Sequence, residues 1–254
     1  MTPNVDDIHS ATGAQPAGAT DEKTAAVAVR NMFDEIAGRY DLLNHVLSAN
    51  VDRLWWWRTA RAFQHILRRS DARVLDLCCG TGDMTLALRK QSPPDANAYF
   101  GADFSHQMLR RGAAKFAGKG LIAVEADALQ LPFADNSFDL VVSAFGFRNL
   151  ANYKAGLQEI HRVLAPGGEF GILDFSEPAG LFGKFYSFYF RNILPKIGSA
   201  ISGSKSPYQY LPDSVHRFPA PAAMVEEMKE TGFKDVSWNP YTFGIAGLYR
   251  GRRS

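Results

Sequence analysis

The run DLCCGTGD, Asp76 to Asp83, brings together the residue types best suited to gripping a small charged ligand. It follows RVLDLCC, which reads as a short buried strand from Arg73, and it opens a helix through Leu88. Gly80 and Gly82 let the chain turn sharply and let a ligand approach the backbone, with Thr81 between them. The start of the helix presents unpaired N–H groups to a carboxylate. The third glycine of the dinucleotide pattern is missing, because Thr85 stands in its place. Asp76, inside the strand, suits a cationic amino acid group better than a pyrophosphate. Loop and aspartate together point to S-adenosylmethionine.

Other polar residues fall at the ends of later strands, where ligands of open α/β sheets bind. Asp103 ends the second strand, about twenty residues beyond the glycines, where a carboxylate can accept both ribose hydroxyls. A loop cap is the alternative. Asp127 and Ala128 end the third strand and can offer a carboxylate to an adenine amino group and a backbone N–H to its ring. A helix cap is the alternative there. Ser143 ends the fourth strand at the floor of the same crevice. The run that follows, SAFGFRN, lacks an Asn-Pro-Pro-aromatic motif and a Pro-Cys nucleophile, so neither exocyclic-amine nor covalent cytosine methylation is supported. Arg148 and Asn149 supply a fixed cation and an amide suited to an oxyanion, with a surface salt bridge as the other role open to Arg148.

The elements that must position these residues alternate. Strands are expected at 98–104, 121–127, 137–145 and 169–176, with helices at SHQMLRRGAAKF and NYKAGLQEIHRVL, the latter closed by Pro166-Gly167-Gly168. This implies an α/β fold with a doubly wound, mostly parallel sheet. Strands at 234–239 and 241–251 lie too close for a crossover helix and must pair antiparallel. The expectation is therefore a seven-stranded Rossmann-like sheet with an antiparallel last strand. Helical periods over 21–70 predict an N-terminal cap of three helices, the second in YDLLNHVLS. Residues 1–20 read as a disordered tail, and 178–220 as an acceptor-side insertion within a single domain.

Composition narrows the function classes. The chain has 254 residues, 46% of them hydrophobic, ample for one core. A net charge of +2 and a pI near 8.5 are too mild for a nucleic-acid partner. Cys78 and Cys79 are adjacent, so they build neither a disulfide framework nor a zinc site, and no metal is expected. No signal peptide and no long apolar span appear, which predicts a soluble cytoplasmic protein.

Two longer segments carry a specific resemblance, which runs from about Val29 to Gly251. YDLLNHVLSANVDRLWW (Tyr40 to Trp56) and RVLAPGGEFGILDFS (Arg162 to Ser176) resemble the two signatures of the demethylmenaquinone and ubiquinone-biosynthesis C-methyltransferases, a class I methyltransferase family. Ser143 and Gly146 to Asn149 match that family's loop after the fourth strand. Departures are Leu43 for methionine, Asp52 for histidine, Ala165 for a basic residue and Asp174 for glutamate. The resemblance implies methylation of a ring carbon of a polyprenylated quinol, with demethylmenaquinol favoured and the ubiquinone-pathway benzoquinol as the alternative.

On that reading Arg148, assisted by Asn149, stabilises the quinol oxyanion, and Tyr40 or His45 relays a proton. A core tyrosine and a surface histidine are the alternatives for those two. A bilayer-soluble substrate implies peripheral contact with the inner face of the membrane. An amphipathic cover over Phe182 to Ile197 is the expected capture surface, with plain packing on the sheet as its rival. A homodimer is left open. Two other classes stay in view, an RNA or protein methyltransferase and a cofactor-binding protein without catalysis.

Overall fold

VLDL is apolar but for one aspartate, and all four of its residues are buried, as a central parallel strand requires. This strand, β1 (Val74–Leu77), pairs in parallel with β2 (Tyr99–Asp103) on one side and β4 (Phe138–Ala144) on the other. The computed structural model describes residues 12–38, 48, 50–97, 99–178, 180, 183 and 206–254. The sheet is completed by β3 (Leu121–Glu125), β5 (Leu164–Phe175), β6 (Lys234–Tyr241) and β7 (Ala246–Arg252), in the order β3-β2-β1-β4-β5-β7-β6. β7 runs antiparallel to both β5 and β6. The expected seven-stranded, mostly parallel, doubly wound sheet is what forms. Strand order reverses between β1 and β4, so their carboxyl ends splay apart and open a crevice.

Helices cover both faces. Alternation along β1 sends Leu75 and Leu77 into a core with α6 (Tyr153–Val163) and α8 (Pro221–Glu230), through Leu157, Ile160, Met224 and Met228. Val74, Leu140 and Val142 face a second core built on α2 (Val51–Ala62), α3 (Gln64–Leu67) and α4 (Asp83–Arg89), with Trp55, Phe63 and Leu88. Ser105 caps α5 (His106–Phe116) by accepting from Met108 N–H, and Asn152 caps α6 by accepting from Ala155 N–H. The remaining α-helices with described bounds are α1 (Glu22–Ile36), opened by an Asp21–Thr24 capping box, and α7 (Ser206–Arg217).

Several expectations need correction. The tail is not disordered through residue 20. Tyr153 N–H donates to Thr12 O and Ala14 N–H to Leu150 O, both at 2.7 Å, and Ala14 is buried. Backbone pairing, invisible to a hydrophobic period, holds this strap. The third N-terminal helix breaks at Phe63 into α2 and α3. β5 starts at Leu164 rather than Glu169, because Gly167 and Gly168 bond with Arg253 and a bulge absorbs the extra residues opposite β4. β3 stops at Glu125, so Asp127 lies in the turn beyond it. The helix expected in YDLLNHVLS, with Tyr40 and His45, and the cover over Phe182 to Ile197 lie outside the described residues, apart from Ser48 and Gly183.

Candidate active site

The crevice at the carboxyl ends of β1, β2 and β4 has two lobes, of about 710 Å³ and about 380 Å³, open to solvent. Cys78, Gly80, Ala144 and Phe145 border both and mark the waist between them. Asp76, Thr81 and Trp56 face the smaller lobe; Asp103, Ala128 and Asn149 face the larger.

The glycine loop is built for close approach. Gly82, at φ 87°, is pressed so tightly on α5 that a Cβ there would lie 2.0 Å from the Phe116 ring. Gly82 borders neither lobe, so its part is to seat the loop. Thr81 Oγ1 accepts from Lys115 Nζ at 3.1 Å, and the same ammonium pairs with Asp83 at 2.9 Å. Asp76 is 1% exposed. Its Oδ2 accepts from Thr85 Oγ1 at 2.6 Å, while Oδ1 has no hydrogen-bond partner. The Thr85 that displaces the dinucleotide glycine thus anchors the carboxylate. Burial raises the Asp76 carboxyl to about 7, against the pull of the Thr85 hydrogen bonds.

Asp103 spans the next turn. Its Oδ2 accepts from Gly80 N–H at 2.8 Å and its Oδ1 from Ser105 N–H at 2.9 Å. The expected alternatives, loop cap and ligand carboxylate, therefore coexist: one lone pair on each oxygen is used and the group still faces the larger lobe. Burial lifts Asp103 to about 6, opposed by these N–H groups and assisted by the nearby Asp34 charge. Asp34 itself accepts from Ser105 Oγ at 2.5 Å and ties α1 to this turn, which brings Ala26 and Phe33 over the lobe. Asp127 and Ala128 line the far wall, with Asp127 Oδ1 also capping Leu129 N–H at 2.9 Å.

The loop after β4 is where the structure departs most from expectation. Phe145 takes a left-handed backbone, φ 60°, and Gly146 then passes so close to β1 that a Cβ would lie 2.3 Å from Cys78 Cβ. Ser143 is buried beside the Cys78 thiol and borders neither lobe. Burial and the Asp103 and Asp76 carboxylates raise both Cys78 and Cys79 thiols well above the usual cysteine value.

Arg148 does not present its guanidinium to the crevice. It is 6% exposed, pairs with Asp174 at 2.9 Å, donates to Ser214 Oγ at 3.3 Å and to the Phe145 carbonyl, and lies over the Phe175 ring at 5.2 Å. The alternative expected for it, a surface salt bridge, is not what forms either: the ion pair with Asp174 is buried. Asn149 does reach the larger lobe. Its Oδ1 accepts from Tyr210 Oη at 3.1 Å, and its Nδ2 makes only a long 3.4 Å contact to Phe145 O.

Sequence reasoning passed over the aromatic wall at the waist. Phe145 packs on Phe175 at 4.6 Å and on Trp55 at 5.7 Å between centroids, and Trp56 lines the smaller lobe beside them. Part of their signal lies in the signature segments themselves, which contain Trp55 and Trp56 in the first and Phe175 in the second. Tyr210, which burial pushes up to about 12, had no signal beyond its place in the insertion.

Comparison with known proteins agrees with this geometry. The profile of the ubiE/COQ5 methyltransferase family matches residues 19–253. A demethylmenaquinone methyltransferase of Deinococcus radiodurans is 46% identical over 234 residues, covering 91% of this chain and 95% of that protein. A ubiquinone/menaquinone biosynthesis C-methyltransferase UbiE of Geobacter sulfurreducens is 44% identical, covering 89% and 88%. Among solved structures, a SAM-dependent methyltransferase of Thermotoga maritima superposes with a TM-score of 0.61 over 89% of this chain and 100% of its own, at 16% identity.

Proposed function

Because this chain belongs to the ubiE/COQ5 methyltransferase family, we propose that it methylates a ring carbon of a prenylated quinol, converting demethylmenaquinol to menaquinol. The donor on this reading is S-adenosylmethionine. The observation that carries it is the unpartnered Oδ1 of buried Asp76, a residue that lines the lobe next to the glycine loop, which fits the donor's cationic amino group. Asp103 fits its ribose, and Asp127 with the Ala128 N–H fits its adenine. Bound there, S-adenosylmethionine supplies a methyl group made electrophilic by the sulfonium.

The chain's own residues do the rest. Phe145 at the waist and Trp56 in the smaller lobe offer aromatic surface to a planar ring, and a ring seated there displaces water where alignment is worth most. A quinol hydroxyl titrates near the phenol range, about 10, and activates its neighbouring carbon once deprotonated. Asn149 Nδ2, only weakly engaged, is assigned to the acceptor oxygen. Arg148 is assigned a positioning role: tied to Asp174, it sets the backbone of Phe145 and Asn149. Tyr40 keeps the proton relay on the resemblance. The UbiE relative, named for both quinones, supports the benzoquinol as a second acceptor.

The test incubates purified protein with S-adenosylmethionine and chemically reduced short-tailed demethylmenaquinol or its benzoquinol counterpart. Mass spectrometry should find one methyl added at a ring carbon, faster with the naphthoquinol. Cofactor binding without methylation of either quinol would overturn the reading.

A further inference from the structure

Large apolar side chains are left in water on one face of the molecule. Leu54 and Trp57 of α2 are 49% and 46% exposed, and Phe243, in the turn between β6 and β7, is 84% exposed. Phe243 also holds a left-handed backbone, φ 57°, an uncommon conformation for a bulky residue. The turn lies beside α2, because Trp55 Nε1 donates to Thr242 Oγ1 at 2.8 Å and Arg58 sits over the Tyr241 ring at 4.4 Å.

The three consecutive tryptophans of α2 point in three directions, as ~100° per residue dictates. Trp55 is buried, Trp56 lines the smaller lobe and Trp57 faces outward. Leu54, Trp57, Arg58 and Arg61 recur at helical spacing on one stripe, with Arg53 beside it, and all five are exposed. The one acid of α2, Asp52, is buried. The outward face of the helix is thus apolar and cationic, with no carboxylate of its own in water. Three exposed arginines with no exposed carboxylate on the helix make the face one-sidedly cationic, which calls for an anionic surface opposite it. A lipid surface accepts both parts, the arginines at phosphate level and the apolar groups below it.

We propose that α2 and the 242–244 turn form a docking face for an anionic phospholipid bilayer. The geometry stands by itself; its purpose, delivery of a bilayer-dissolved substrate, rests on the prenylated-quinol reading.

The experiment sediments the full chain with vesicles of phosphatidylcholine alone or with one third phosphatidylglycerol. Two double variants are compared, Leu54→Ser with Phe243→Ser and Arg53→Gln with Arg61→Gln. Wild type should bind the anionic vesicles preferentially. The arginine variant should lose about five-fold in partitioning per residue removed, and the apolar variant should lose binding to both vesicle types. Turnover of a short-tailed quinol in detergent-free buffer should stay at the wild-type level, while turnover of a long-tailed quinol in vesicles falls. Should the apolar variant misfold, judged by cofactor binding and melting, the arginine variant decides. Variants that bind vesicles like wild type, or a wild type that ignores anionic vesicles, overturn the proposal. So does a lipid-free wild-type dimer that the same substitutions dissociate, since the face would then belong to a second copy. Absence of any quinol methylation would sink the functional reading and leave the vesicle result to stand alone.

Discussion

Arg148 is bound to Asp174 twice: Nη1 donates to one carboxylate oxygen at 2.9 Å, and the Arg148 backbone N–H donates to the other at 3.0 Å. One aspartate on β5 thereby sets both ends of the residue that leads into Asn149. At a position where the family signature has glutamate, the shorter side chain still closes this pair.

Replacing Arg148 with alanine should accordingly cost stability first. Leaving Asp174, which is fully buried, without its partner should lower unfolding free energy by about 3–5 kcal/mol, read by urea titration. Arg148→Lys should recover only part, since one ammonium cannot serve Asp174, Ser214 and Phe145 O together. A variant with native stability and a large loss of kcat would restore the guanidinium as a direct oxyanion stabiliser.

Asp76→Asn should stabilise the ligand-free protein. The unfolded carboxyl ionises near 3.8, whereas the folded one stays protonated to about 7. Wild type therefore loses stability as pH rises between those values, by up to about 4 kcal/mol in all, and levels off above 7. Asparagine does not titrate, so melting curves of the two proteins should diverge across that window and stay apart at pH 8. The same substitution should weaken S-adenosylmethionine binding at pH 8, where wild type presents a charge. Parallel melting curves at every pH would refute the buried-acid account.

Asp103→Ala should weaken S-adenosylhomocysteine by about 1.5–3 kcal/mol in a calorimetric titration, the range for hydrogen bonds to a charged group. It also strips acceptors from Gly80 and Ser105 N–H, so a modest fall in melting temperature should accompany it. Unchanged affinity would remove Asp103 from the ribose site.

Gly146→Ala should fail for want of space, with its methyl driven into Cys78 Cβ. Overpacking of this kind costs about 1–3 kcal/mol. In a Cys78→Gly background the obstacle is gone, and the left-handed backbone at 78, φ 56°, suits glycine. The double variant should regain melting temperature lost by Gly146→Ala alone. Additive losses would show that the two loops do not touch in solution.

Local chemistry was legible in the residues; pairing across distance was not. The glycine turn, the place of Asp76 inside its strand and of Asp103 at the end of the next, and the antiparallel final hairpin all follow from spacing and period. Arg148 was misplaced because its partner lies 26 residues on, in the neighbouring strand, and nothing local shows that a cation is already satisfied. Asp127 was put at a strand end because LIAVEAD has no breaker before it, yet pairing with β2 stops at Glu125. The Thr12–Ala14 strap carries only small residues and is held through its backbone, which leaves no trace in composition. The waist aromatics were visible as residues and hidden as a wall, since β4, β5 and α2 each supply a part.

The two thiols that border the crevice have a chemical consequence of their own. Oxidised quinones are Michael acceptors, and thiolates add to them readily; thiols do so far more slowly. Cys78 borders the waist and Cys79 the smaller lobe, yet burial and the Asp103 and Asp76 carboxylates disfavour both thiolates. The crevice is thereby protected against alkylation by the oxidised form of the very molecules it is proposed to handle.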